Sequence, residues 1–109
     1  MASVLNITDR LKKEQKQIKI GDELLNVNTA FEAMVEIEAI ERMTDISDIE
    51  KMYKTLHLFL GDDYAKLKAM NLDVDDMKVV FIAIMATVQA VPYEEMVARF
   101  QRAADAINK

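Results

Sequence analysis

The residue types that this chain lacks exclude several classes of functional site. No cysteine occurs, so neither a disulfide framework nor a thiolate metal site can form. The single histidine, His57, rules out a multi-histidine metal site and leaves few ways to build a nucleophile–histidine relay. Two glycines are too few for a glycine-rich phosphate-binding loop. We therefore expect a protein that is not an enzyme and that uses neither a cofactor nor a metal.

The residues that are present describe a small acidic domain. The chain has 109 residues, of which 51% are apolar and 30% are charged, and 14 basic against 19 acidic residues leave a net charge of −5. This length fits one domain, and the apolar content is too high for a disordered chain. The negative charge disfavours binding to the phosphates of a nucleic acid.

Neither a membrane span nor a signal peptide is expected. The longest apolar run, Val79 to Val91, covers thirteen residues, whereas a helix that crosses a bilayer needs about 20. The first sixteen residues are too polar for the apolar core of a signal peptide. The expected compartment is the cytosol, with no membrane partner.

A basic N-terminal arm, residues 1–15, is predicted to precede a single helical domain at 16–109. The arm is expected to form a frayed helix when free and an ordered helix when docked, with an apolar stripe of Val4, Leu5, Thr8 and Leu11. Nine acidic and three basic residues lie between Glu32 and Asp63. The basic arm thus contrasts with an acidic middle of the chain.

Residues 17–27 carry the strand signal of the sequence. Polar and apolar residues alternate from Gln17 to Ile20, a three-residue loop containing glycine follows at 21–23, and a second apolar run ends at Val27. A lone two-stranded hairpin is marginal in water. The hairpin must therefore pack on a helix or pair through its edge with another chain.

About five helices are predicted after the hairpin, in a compact and mainly α bundle. The capping boxes Thr29–Glu32 and Ser47–Glu50 mark the first two helices, the first at about 29–43. Gly61 is expected to end the second helix, and Asp62 to cap a short third one.

Aspartates and a proline predict where the fourth helix begins and ends. Asp73, Asp75 and Asp76 suit the positive end of the fourth helix, and Pro92 should break it near residue 90. The fifth helix is expected from about 92 to 107. The residues predicted to face inward on these two helices are Met77, Val80, Phe81, Ile84, Met85, Val88, Met96, Val97, Phe100, Ala104 and Ile107.

The first predicted helix carries apolar residues almost all round. Such a helix has more apolar surface than one small core requires, which indicates contact with a second chain. The candidate residues for a partner or self-association surface, on the hairpin and on this helix, are Ile18, Ile20, Leu25, Val27, Phe31, Met34, Val35, Ile37, Ile40 and Met43. Seven internal methionines either fill the core or supply an adaptable binding surface.

Three features that suggest a catalytic, metal or charged binding site also have a simpler structural interpretation. His57 is expected to be a surface or half-buried structural residue, because the sequence nominates no nucleophile or acid beside it. The aspartates around Asp73 fail the calcium-loop pattern, because the sixth position is Lys78 rather than glycine. Glu32 and Glu36 share a helix face that either is solvated or meets a basic partner, including the arm of a neighbouring copy.

The order of these elements resembles that of a known family. The segments that carry the resemblance are the hairpin sequence from Ile18 to Val27, the stretch from Phe59 to Leu67, and the helix start from Leu72 to Met77. Together they resemble the small tail assembly chaperones of long-tailed bacteriophages and related prophage proteins. The likeness covers roughly residues 17–100 and is one of pattern.

The resemblance implies a non-enzymatic protein made in the cytoplasm of an infected or lysogenic bacterium and absent from the mature virion. Members of this family bind the long tape measure protein, help to recruit tail tube protein around it, and self-associate into homo-oligomers. The family has no catalytic residues to transfer to this chain. An alternative is a helical adaptor or regulatory interaction module, also encoded by a mobile element.

Overall fold

The computed structural model describes residues 3–11 and 15–107, and it describes residues 104–107 through their backbone alone. The expectation of a mainly helical chain with one β-hairpin is confirmed. Four helices of eleven residues or more and one six-residue helix follow the hairpin. The elements are β1 (Lys16–Ile20), β2 (Glu23–Val27), α1 (Phe31–Glu41), α2 (Asp48–Leu60), α3 (Tyr64–Ala69), α4 (Val74–Gln89) and α5 (Tyr93–Ile107).

The described part of the N-terminal arm, residues 3–11, contains only a three-residue 3₁₀ turn at Thr8–Arg10. The longer frayed helix that the sequence suggested is therefore wrong for these residues. All nine side chains in the segment are exposed, and Val4 and Leu5 are 90% and 83% accessible. A segment without buried apolar contacts has nothing to stabilise a helix of this length. Lys12 and Lys13 of the predicted arm lie outside the described residues.

The hairpin matches its predicted position, but its loop is shorter than expected. β1 and β2 pair antiparallel with Ile20 opposite Glu23, so the connection has two residues rather than three. Gly21 begins the turn with a φ of +61°, a left-handed conformation that glycine adopts without the steric penalty of a Cβ. A glycine of positive φ at the first position of a two-residue loop is typical of a type II′ turn. That turn allows Glu23 to join the ladder.

One face of the hairpin supplies part of the core. Leu25 and Val27 are inaccessible, and Ile18 and Ile20 beside them are half-buried. This face packs on α2 and α4. The buried residues that form the core cluster are Leu25, Val27, Ile37, Leu56, Phe59, Leu60, Leu67, Val80 and Ile84.

Two of the predicted helix caps are confirmed. The Ser47 hydroxyl accepts a hydrogen bond from the Glu50 N–H at 3.1 Å and starts α2. The Asp73 carboxylate accepts one from the Asp76 N–H at 2.8 Å and starts α4. Each bond satisfies one of the N–H groups that have no partner within the first turn of a helix.

The other two predicted caps are wrong. Ala30, not Thr29, is the N-cap residue of α1, and the Asn28 side chain accepts a hydrogen bond from the Ala30 N–H at 3.0 Å. This Asx-type bond competes with the capping geometry that Thr29 would need. Asp62 lies in a 3₁₀ turn and makes no cap, while the neighbouring Asp63 carboxylate accepts a hydrogen bond from the Asn26 N–H at 2.8 Å.

The ends predicted for the second and fourth helices are confirmed, whereas α1 ends at Glu41 rather than near residue 43. Gly61, with a φ of +54°, ends α2, and Ala90, with a φ of +55°, ends α4 two residues before Pro92. Both residues adopt a positive φ, as helix C-terminal residues often do. Alanine has a Cβ, so it adopts this conformation at a cost that glycine avoids.

Helices α1 and α5 lie at the periphery. α1 packs mainly on α2, and α5 packs mainly on α4, with Met96 buried at its contact. The radius of gyration, 16.5 Å, exceeds the roughly 13 Å of a compact domain of this length. The inward positions predicted for Ala104 and Ile107 concern side chains that lie outside the described part of the chain.

Replacing Asp63 by alanine should destabilise the fold. Its carboxylate accepts the Asn26 N–H and lies 3.6 Å from the Lys66 ammonium, so it joins the start of α3 to the hairpin. We expect Asp63→Ala to lower the free energy of unfolding by about 1–2 kcal/mol, measured by urea denaturation. Asp62→Ala, which removes an exposed neighbour, should change it by less than about 0.5 kcal/mol. Equal losses in the two variants would contradict this role of Asp63.

Candidate protein-binding groove

The ten residues predicted as a contact surface fall into three groups. Leu25, Val27, Ile37 and Ile40 are at most 8% exposed and belong to the core of the chain itself. Ile18, Ile20 and Met34 are half-buried, whereas Phe31, Val35 and Met43 are 77%, 47% and 39% exposed. These four side chains are almost fully covered by other elements of the same chain, although Ile37 still borders a groove described below. The prediction is therefore corrected at these four positions.

Helix α1 is only partly covered by the rest of the chain. Its buried residues are Ala33, Ile37 and Ile40. Phe31 and Val35 lie one turn apart and remain exposed on another side of the helix. Two large apolar side chains at this spacing form an unpartnered stripe.

A groove begins beside this stripe and runs between α1 and α4. Its volume is about 400 Å³, and its lining residues are Phe31, Met34, Val35, Ile37, Glu38, Glu41, Met85 and Gln89. A second depression of about 200 Å³ continues it between α4 and α5, lined by Met85, Gln89, Met96, Arg99, Phe100 and Ala103. Because Met85 and Gln89 line both parts, the two form one surface, which we call the α1–α4–α5 groove.

The apolar lining of the groove is adaptable. Met34 and Met85 contribute flexible, half-buried thioether side chains from α1 and α4, whereas Met96 of α5 is buried. Phe100 is 38% exposed, and its ring packs edge-on against Phe81 with the centroids 6.1 Å apart. Such a lining suits an apolar helix face better than a small polar ligand.

The two ends of the groove carry opposite charges. Glu38 and Glu41 lie at the α1 side, and Glu38 forms an ion pair with Arg42. At the α5 side, the Arg99 guanidinium donates to the Gln89 amide oxygen at 2.8 Å and to the Glu95 carboxylate at 3.3 Å. The lining thus combines apolar side chains with charged groups at both ends, and Glu38 and Arg99 are each paired within the chain.

The other side of α1 borders a groove with α2. This groove, of about 500 Å³, is lined by Glu36, Ala39, Ile40, Met43, Tyr53, Lys54, His57 and Leu58. His57 is exposed, as expected, and its ring lies 3.9 Å from that of Tyr64 and 4.6 Å from that of Tyr53. Its contacts are thus aromatic packing contacts.

The carboxylates considered as metal ligands either cap a helix or lie exposed on a helix surface. Asp73 caps α4, as predicted, and Glu32 and Glu36 are exposed along α1. Among the residues that the structure describes, no group of three or more histidine and carboxylate side chains has the arrangement of a metal site.

The α4 and α5 side of the groove was not included in the predicted surface. Met85 and Phe100 were expected to face inward, and nothing in the sequence singled out Gln89. Their role depends on α5 packing beside α4 while α1 stays apart, and no local pattern encodes that arrangement. The apolar spacing of α5 was the only signal that pointed toward Phe100.

Comparison of the chain with protein-family models, with curated proteins and with solved structures gives no match. In the part of the chain described, no helix is long and apolar enough to cross a membrane.

The environment of Tyr64, whose ring packs against those of Tyr53 and His57, predicts a loss of stability at high pH. Burial, and to a lesser extent the charge of nearby Tyr53, raises the pKa of Tyr64 above its ordinary value of 10.0. As the pH rises, the Tyr64 hydroxyl therefore loses its proton at a lower pH in the unfolded chain than in the folded one. The stability that Tyr64 contributes is complete below about pH 10 and is lost as the pH rises through the folded-state pKa.

Urea unfolding measured on both sides of pH 10 checks this expectation. Tyr64→Phe should reduce the loss of stability with rising pH, whereas Tyr93→Phe, which retains Tyr64, should not. A pH dependence that is unchanged in Tyr64→Phe would contradict the assignment.

The two sides of α1 should respond differently to a polar substitution. Ile37→Gln places an amide in the core and should lower the free energy of unfolding by about 3–5 kcal/mol. Val35→Gln, on the exposed stripe, should change it by less than about 1 kcal/mol. Chemical denaturation of both variants tests the assignment, which fails if Val35→Gln is the more destabilising.

Proposed function

We propose that this protein is a non-enzymatic tail assembly chaperone of the type found in long-tailed bacteriophages and prophages. In this role it binds a helical segment of the tape measure protein and aids assembly of tail tube protein around it. It acts in the cytoplasm of the infected or lysogenic bacterium and is not part of the mature virion. It uses no cofactor, and nucleic acid and membrane are not its partners.

The observation that carries this function is the exposed stripe of Phe31 and Val35 beside the α1–α4–α5 groove. Full burial of a large apolar side chain stabilises a complex by about 1.5–3 kcal/mol. A stripe of two such residues therefore favours binding of an apolar helix face. The methionines of the groove allow it to accept successive segments of differing sequence along one long client.

Charge supports the same type of client. The net charge of −5 keeps copies of the chain from aggregating while the stripe stays exposed. Glu41, at the α1 side of the groove, favours a client helix with a basic residue beside its apolar stripe. A chaperone of an aggregation-prone helical protein needs this combination of apolar contact and repulsion between loaded complexes.

Co-expression with the tape measure protein encoded beside this chain tests the function. The tagged chain should keep that protein soluble and co-purify with it. The double variant Phe31→Gln/Val35→Gln should bind at least tenfold more weakly, because each tenfold loss requires only about 1.4 kcal/mol.

A matched control carries equal changes outside the groove. Leu24→Gln/Ile49→Gln replaces side chains that are 48% and 63% exposed, close to the exposure of the groove pair. This control should bind like the unaltered chain. If the unaltered chain does not bind the tape measure protein, the proposed function is wrong; if both double variants bind equally, the groove assignment is wrong.

A further inference from the structure

The outer edge of β1 carries backbone hydrogen-bonding groups that the rest of the described chain does not use. On β2, the Asn26 N–H donates away from β1 to the Asp63 carboxylate at 2.8 Å, so Asn26 and Gln17 opposite it form a non-hydrogen-bonded pair. The backbone groups of Gln17 and of Lys19, two residues further on, therefore point away from β2. Within the described part of the chain these groups have no hydrogen-bond partner. An open edge of this kind is a template for pairing with a further strand.

An apolar groove lies beside this open edge, between β1 and α4. It has a volume of about 380 Å³, and its lining includes Ile18, Ile20, Val79 and Ala83 together with the carboxylate of Asp76. Val79 is 50% exposed, so apolar surface continues beyond the edge of β1. A strand added to β1 would place every second side chain over this surface, because successive side chains of a strand point to opposite faces. Those side chains must be apolar, since Asp76 would repel a carboxylate in the groove.

The opposite face of the hairpin presents a cation and no carboxylate. The side chains that β1 and β2 place on this face are exposed, and they are those of Gln17, Lys19, Leu24 and Asn26. Lys19 lies opposite Leu24, and among the described residues its ammonium has no ion-pair partner. A carboxylate opposite Lys19 on an added strand would form a favourable cross-strand pair, whereas a second lysine there would be repelled. The charge of this edge therefore selects an acidic strand.

We propose that the edge of β1 is a second binding site, which takes an extended segment of another protein in which acidic and apolar residues alternate. The segment adds a third strand to the hairpin and exchanges backbone hydrogen bonds with Gln17 and Lys19. It pairs antiparallel, the more stable arrangement per residue. A carboxylate of the segment lies opposite Lys19, and the apolar residues on either side of it lie opposite Ile18 and Ile20 and face α4. Main-chain bonds supply affinity, and Lys19 and Asp76 supply specificity.

This site is separate from the α1–α4–α5 groove. The two have no lining residue in common, so one copy of the chain can hold a helical segment and an extended segment at the same time. The inference does not rest on the proposed function. It is tested with the purified chain and synthetic peptides, so its outcome is distinct from that of the co-expression experiment.

A charge exchange tests the predicted specificity. The probes are two fluorescent peptides in which valine alternates with threonine, with either glutamate or lysine in place of the central threonine. By fluorescence anisotropy, the unaltered chain should bind the glutamate peptide about fivefold more tightly than the lysine peptide. Lys19→Glu should invert this preference. Lys54→Glu, which makes the same charge change at an exposed lysine of α2, should retain it. Failure of the unaltered chain to bind either peptide, or the same preference in Lys19→Glu, would overturn the inference.

Proline at position 19 tests the backbone pairing. Lys19→Pro removes an outward N–H that the added strand needs and no N–H of the internal ladder, and edge strands accept proline. Lys19→Ala removes the same charge and keeps the N–H. Lys19→Pro should therefore bind the glutamate peptide about tenfold more weakly than Lys19→Ala, with an unchanged circular dichroism spectrum. Equal affinities in the two folded variants would contradict strand addition.

Amide hydrogen exchange of the unaltered chain gives a measurement that does not depend on the proline variant folding. Saturation with the glutamate peptide should slow exchange of the Gln17 and Lys19 N–H groups about tenfold. The Leu24 N–H, which points outward from β2 on the other edge of the hairpin, should exchange at an unchanged rate. Unchanged exchange at Lys19, or equal slowing at Leu24, would reject this site. Slow exchange at Lys19 in the concentrated chain without peptide would show a second copy at the edge and would also overturn the inference.

Discussion

The packing of the hairpin on α2 and α4 is the contact on which the rest of the fold depends. A two-stranded hairpin is marginal alone, and α2 and α4 each carry an apolar stripe that must be covered. Leu25 and Val27 satisfy both needs, because they are buried in one cluster with Phe59 and Ile84. The Asp63 carboxylate accepts the Asn26 N–H of β2, and the Phe59 carbonyl accepts the Asn28 N–H just beyond it, which adds hydrogen bonds to this packing.

This central contact explains why the surface of the molecule is uneven. The hairpin covers one side of α2 and α4, so α1 and α5 pack at the periphery, each mainly on a single helix. Two helices held in this way leave spaces between them, and the α1–α4–α5 groove is such a space. Among the described residues, α3 and the 3₁₀ turn before it contact β2 and not β1, so they leave the outer edge of β1 uncovered.

The elements that could be predicted from the sequence are those set by neighbouring residues. Ser47 and Asp73 cap their helices through bonds three residues long, and Gly61 and Pro92 act on the local backbone. Two caps predicted from the sequence are absent. The Asn28 side chain accepts the Ala30 N–H before α1 begins, and Asp62 lies in a 3₁₀ turn in which the neighbouring Asp63 bonds a residue 37 positions away.

The candidate surface shows the same limit on a larger scale. Phe31, Val35, Ile37 and Ile40 are all apolar and all on one helix, so periodicity alone cannot say which of them is covered. Packing of α1 on α2 buries Ile37 and Ile40 and leaves Phe31 and Val35 exposed. Met85 and Phe100 join them only because α5 folds back beside α4.

The sequence by itself determined the helical class, the hairpin, most helix ends, the acidic charge and the presence of more apolar surface than one small core requires. The tertiary structure alone decided which apolar residues remain exposed and which strand edge stays open. The physical reason is that hydrogen bonds within a turn or a cap are local. Hydrophobic burial is non-directional, and the elements that provide it are far apart in the chain.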